Sequence, residues 1–163
     1  MATRSDFTPE QWATLRNAPQ LVALATAAAG NSGLFGSVSE GMAMASSMAE
    51  TLRGDHALLR ELFARDDLRA AQDEIKAMIR GVADKSALNA TLQEAAASAI
   101  RNALAALAGK GGQGDADAYR RLLGSIADKV ANASSEGSFL GFGGERVSEG
   151  ERQFLERLKG LLA

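Results

Sequence analysis

One short phrase occurs twice, near each end of the chain. Val38-Ser39-Glu40-Gly41 returns as Val147-Ser148-Glu149-Gly150. Each copy follows a loop carrying Gly and Phe, and each loop follows an alanine-rich apolar stretch. A serine followed by acids is a helix start, because its hydroxyl accepts from free amides of the first turn. The repetition therefore predicts one helix–loop–helix unit used at both ends of a single fold. Val22 pairs with Ile126, Gly33 with Gly137 and Val38 with Val147, which places an insertion in the second loop.

Between and within these units the apolar spacing is helical. Thr8, Pro9 and Gln11 form a cap, a first-turn proline and a capping-box partner, with Phe7 and Trp12 at the hydrophobic-staple positions. Pro19 lacks an amide hydrogen and is expected to kink or restart that helix before the apolar run 21–29. Ser39 caps a helix to about Leu52, with Met42, Ala45, Met48 and Ala49 on one face. The apolar phase slips at Asp66-Asp67, which predicts a corner capped by an aspartate. A long stripe over 88–107 predicts the central alanine-rich helix, and Gly109-Lys110-Gly111-Gly112-Gln113-Gly114 reads as a flexible joint. Tyr119 to Ala133 and Phe154 to Leu162 complete the series.

Alanine is about a fifth of the chain, aromatics are 5% and Pro is 2, which favours helix over sheet. The expected fold is all-α: a single-domain bundle of about seven helices. Its first unit spans about 8–52, its middle helices about 55–108 and its second unit about 115–162.

With 163 residues the chain builds its own core, and with Cys 0 it holds no disulfide or thiolate metal site. Lys+Arg 18 against Asp+Glu 20, with no basic run longer than Arg120-Arg121, argues against nucleic-acid binding. The apolar run 21–29 is too short to span a bilayer, and no secretory leader opens the chain. A cytoplasmic location is expected.

Catalytic chemistry has little to work with. His56 is the sole histidine, next to Asp55, and a first-turn role is expected for it. Zinc and iron sites want several His or Cys ligands, and a serine triad wants a histidine base and an elbow motif. Gly109, Gly111 and Gly114 spell Gly-x-Gly-x-x-Gly but follow a helix rather than a strand, so no phosphate cradle is expected. The acid pairs at Asp66-Asp67, Asp73-Glu74 and Asp115/Asp117 read as solvated or capping groups. The expectation is a chain that is not an enzyme and takes no cofactor.

Ser135-Glu136-Gly137 followed by Val147-Ser148-Glu149-Gly150-Glu151 resembles the TerB-like pattern of tellurite-resistance proteins: a helix, an acidic loop, an apolar residue, a cap and a further acid. The resemblance covers the two end units. It implies an all-helical domain, a stress-associated role and an acidic surface for divalent metal. Glu136 matches the family's loop acid in the second unit and Ser32 stands there in the first. Glu151 matches the later acid and Met42 stands there in the first. Glu136, Glu149 and Glu151 are thus the metal candidates that the resemblance implies.

Three of the phenylalanines, Phe35, Phe139 and Phe142, fall in the two loops, along with Leu140. Large apolar groups on loops either plug the bundle or meet a partner. The leading expectation is an interaction module that binds itself or another protein through Phe35, Phe139, Leu140 and Phe142. The alternative is a carrier of an apolar ligand in a cavity among Ala23, Ala27, Ala95, Ala99 and Ala103, with methionine lining.

Overall fold

A computed structural model describes residues 1–30, 41, 45, 47, 54–137 and 148–163. Its described residues are helical and turn, with no strand among them. A 3-10 turn at Arg4–Asp6 precedes six α-helices: α1 (Pro9–Ala29), α2 (Ala57–Leu62), α3 (Arg65–Ile79), α4 (Lys85–Lys110), α5 (Gln113–Gly137) and α6 (Glu149–Leu162). The fold is all-α, with six α-helices in the described residues where the sequence predicts about seven. Gly41, Ala45 and Ser47 are also helical, and Ala45 is buried.

The start of α1 follows its sequence signals. Thr8 Oγ1 accepts from the Gln11 amide at 3.2 Å, and Gln11 Oε1 accepts from the Thr8 amide at 3.0 Å. The Phe7 and Trp12 ring centroids lie 6.0 Å apart and close the staple.

Pro19 does not restart the helix, because α1 runs unbroken from Pro9 to Ala29. A proline at 19 leaves the carbonyl four residues back, that of Leu15, without its helical donor. Tyr119 of α5 supplies the replacement: its hydroxyl donates to the Leu15 carbonyl at 2.7 Å. Tyr119 is fully enclosed, and burial pushes its phenol well above the usual range, so it stays a donor. Tyr119→Phe is expected to cost about 1.5 kcal/mol by urea unfolding, since it strands a buried acceptor. Adding Pro19→Ala should recover part of that loss, because an amide hydrogen at position 19 takes the same carbonyl. A neutral Tyr119→Phe would contradict this account.

Residues 18–27 of α1 are buried on every side, Gln20 and Thr26 included. A helix enclosed all round sits at the centre of its domain. The alanine-rich α4 lies along α1 in the most extensive helix contact among the described residues, and α3, α5 and α6 also pack on α1. Ala23, Ala27, Ala99 and Ala103 belong to this one continuous core, where small side chains let helices approach closely.

Two corners differ from expectation. Ala64, not an aspartate, is the N-cap of α3, and it makes no side-chain cap bond. Asp67 instead turns inward from the first turn. The glycine run at 109–114 is not a six-residue joint: α4 continues to Lys110 and α5 starts at Gln113. The Gly111 amide donates to the Leu107 carbonyl at 2.7 Å, and a Cβ at 111 would lie 2.9 Å from that oxygen. Only glycine tolerates so close an approach.

Candidate functional site

The start of α6 docks onto the end of α1. Ser148 caps α6 by accepting from the Glu151 amide at 3.2 Å, and its hydroxyl donates to the Ala29 carbonyl at 3.0 Å. One side chain thus serves the free amides of one helix and a free carbonyl of another. A Cβ on Gly150 would stand 3.4 Å from the same Ala29 oxygen, so the first turn of α6 lies directly against the end of α1.

Glu151 fills the base of this seam. It is 2% exposed, and a Cβ on Gly30 would lie 3.2 Å from its Oε2. Its Oε1 is buried with no partner among the described residues. Burial pushes its carboxyl above the usual range, and hydrogen bonding with the Ser148 backbone offsets this only in part. The carbonyl end of α1 disfavours a carboxylate there, whereas the amide end of α6, whose first turn Glu151 occupies, favours one.

The sequence candidates distribute unevenly around this seam. Phe35, Phe139, Leu140 and Phe142 lie outside the described residues, as do Met42 and Met48. Glu136 is in the last turn of α5, and its side chain is outside the described set. Glu149 is on the surface, accepting from Arg152 at 3.2 Å and from Gln153 Nε2 at 2.9 Å, whereas Glu151 faces inward. Among the described residues no group of three or more His, Cys, Asp or Glu side chains is placed to hold a metal.

Two buried aspartates were missed by sequence reasoning. Asp115 Oδ2 accepts from the Ala2 amide at 2.8 Å and the Gly112 amide at 2.9 Å, and Oδ1 lies 3.4 Å from His56 Nε2. Burial alone would raise its carboxyl, but the two amides, the amino group of Met1 and His56 hold it below the usual carboxylate range. The spacing Gly112-x-x-Asp115 is a capping-box return bond and was legible. The contact to Ala2, 113 positions away, was not. His56 is the N-cap residue of α2 and makes no side-chain cap bond there.

Asp67 is the second. Its Oδ1 accepts from Trp12 Nε1 at 2.9 Å, its Oδ2 from Arg4 at 3.0 Å, and Arg16 lies 3.7 Å away. Arg4 also stacks 5.6 Å from the Trp12 ring centroid, and its amide donates to Glu61 at 2.8 Å. Arg16 reaches on to Glu74, which accepts from Asn17 as well. The three buried carboxyl groups thus have separate partners, and two of them tie the segment before α1 to the bundle.

No protein-family model, no curated protein and no solved structure matches this chain. No helix among the described residues is long and apolar enough to cross a membrane.

Proposed function

We propose that this chain is a non-enzymatic interaction module, built from two related TerB-like end units and self-associating through its Phe-bearing loops in the cytoplasm. The observation that carries the reading is the Ser148–Ala29 bond. The first loop departs just after Gly30 and the second returns just before Ser148. That bond therefore tethers the exit of one loop to the re-entry of the other. By sequence Phe35 belongs to the first loop and Phe139, Leu140 and Phe142 to the second, and large apolar groups on loops meet partners.

The buried polar groups support the same reading. Asp67, Asp115 and Tyr119 are engaged in fixing helices and the N-terminal segment, which is scaffold work. Changing Phe139 and Phe142 to Ser together is expected to raise the self-association Kd roughly tenfold, read by sedimentation velocity across a concentration series. Far-ultraviolet dichroism should be unchanged. Wild-type association in the double variant would rule out the loops as the contact.

A further inference from the structure

The segment before α1 meets α5 at a buried acid. Ala2 is 4% exposed and belongs to the core, whereas Met1 just before it is 83% exposed. The Ala2 amide donates to Asp115 Oδ2 at 2.8 Å, and the Gly112 amide donates to the same oxygen at 2.9 Å. Asp115 is itself enclosed, at 1% exposure. Position 2 therefore sits inside the protein against a carboxylate, and position 1 stands outside.

That carboxylate has acceptor capacity its contacts do not use. Both amides go to Oδ2. Oδ1 is buried and accepts no hydrogen bond among the described residues, with His56 Nε2 3.4 Å away. An unserved carboxylate oxygen in a closed site is unfavourable, because water does not reach it. The amide nitrogen of Ala2 has one hydrogen, and Oδ2 takes it. An α-ammonium nitrogen at the same point has three, and it brings a full positive charge. It keeps the bond to Oδ2 and has further hydrogens to turn toward Oδ1.

The amino group on Met1 does not fill this role. It is close enough to lower the Asp115 carboxyl, but the ion-pair contact of Asp115 among the described residues is with His56. Breaking the bond between Met1 and Ala2 moves the charge along by one residue, to where the carboxylate is already placed. Water adds across that peptide bond. The methionine side leaves with the new carboxylate, and Ala2 keeps the nitrogen, which is mostly protonated at pH 7. The balance is the same whatever stands before Met1. Ala2 also suits the cut: its enclosed position takes a methyl group, and peptidases that remove methionine need a small residue after the bond.

We infer that the Met1–Ala2 bond is a processing site, and that Asp115 captures the α-ammonium group of Ala2 that cleavage releases. Capture of a free amine at a chain terminus is a recurrent mode of recognition. The gain is a charge-assisted bond in place of a neutral one, in an enclosed site where solvent screens it little. Desolvation of the ammonium opposes it, and the chain limits that cost by presenting a carboxylate which two amides already hold ionised. The cut chain locks the segment before α1 onto α5, and the uncut chain holds it by a neutral bond. No residue of the Phe loops takes part, so the capture is separate from self-association.

The test compares two forms of the full chain, one starting at Met1 and one at Ala2. Both are released from a fusion by a protease that leaves no extra residue. The Ala2 form should unfold at a Tm roughly 2–4 °C higher at pH 7. In Asp115→Asn, which keeps an acceptor for position 2 but carries no charge, the two forms should share one Tm. Acylation of the α-amine by an N-hydroxysuccinimide ester should be roughly tenfold slower in the Ala2 form than in the Met1 form. Once urea unfolds them, the two should react equally fast. That rate reads the amine itself, so it decides the matter even where Asp115→Asn does not fold. The chain expressed from Met1 without a fusion should have the intact mass of the Ala2 form.

A Tm for the Ala2 form at or below that of the Met1 form overturns the inference. So does a gain that survives in Asp115→Asn, or equal acylation of the two folded forms. A chain that keeps its methionine in the cell overturns it as well.

Discussion

Asp67→Ala is expected to lower the free energy of unfolding by about 3 kcal/mol, measured by urea titration at pH 7. The cost has two main sources. Trp12 Nε1 becomes a buried donor with no acceptor, since its partner at 2.9 Å is gone. Arg16, almost wholly covered, loses one of its two carboxylates and keeps only Glu74. The bond to Arg4 contributes less, because that side chain is 62% exposed and solvent screens it. Asp67→Asn keeps an acceptor for the indole and should cost about 1 kcal/mol. In a double-mutant cycle Asp67→Ala and Trp12→Phe should be non-additive by about 1 kcal/mol or more. A loss below that in Asp67→Ala alone would show that the N-terminal segment and α3 do not depend on this carboxylate.

Glu151→Gln is expected to act in the opposite direction. Glu151 is enclosed at the carbonyl end of α1, and its carboxyl is raised above the usual range by burial. The folded chain therefore holds the proton more tightly than the unfolded chain does. Below the unfolded value both states are protonated, and the group costs nothing. As pH rises through the unfolded value and on through the folded one, the unfolded state releases its proton first, and stability falls. The wild type and Glu151→Gln should thus match near pH 4 and diverge as pH rises, with the variant the more stable at pH 8. The difference is read as a higher Tm for the variant at pH 8 than at pH 4, relative to the wild type at each pH. Asp115 has the reverse slope, because its carboxyl is lowered and its contribution is lost as pH falls. The comparison of variant with wild type isolates Glu151 from that background. A difference independent of pH would mean that the seam holds a carboxylate without strain.

Glu151→Gln also bears on the loops. The Ser148 hydroxyl and the Glu151 carboxyl occupy the same joint, so charging the acid loads the bond that tethers the two loop ends. Where the Phe loops mediate self-association, the variant should associate with less dependence on pH than the wild type.

Much of the local structure was legible from single residues. The cap at Thr8, the staple of Phe7 and Trp12, and the cap at Ser148 are contacts over three to five positions, and short-range spacing encodes them. The alanine and leucine periodicities gave α4 and α6 for the same reason. The corner predicted at Asp66-Asp67 falls at Phe63-Ala64, and both aspartates lie in the first turn of α3 rather than at its cap. An aspartate near a helix start serves equally well as a cap or as an inward acceptor, and the choice rests on whether Trp12, 55 positions earlier, is across from it. The glycine run was misread because glycine marks both slack chain and close contact, and only the Leu107 carbonyl at 111 distinguishes them.

The sequence by itself determined an all-helical fold and its principal helix starts, because these depend on propensity, capping and composition. Only the tertiary structure decided which polar groups are buried and against what. Pro19 continues its helix because Tyr119 replaces the lost donor. Asp67 and Asp115 hold the segment before α1, and Glu151 closes on Gly30. Each of these is a contact between residues more than fifty positions apart, and desolvation gives such a contact its energy. No local pattern records desolvation, since it exists only once the helices have packed.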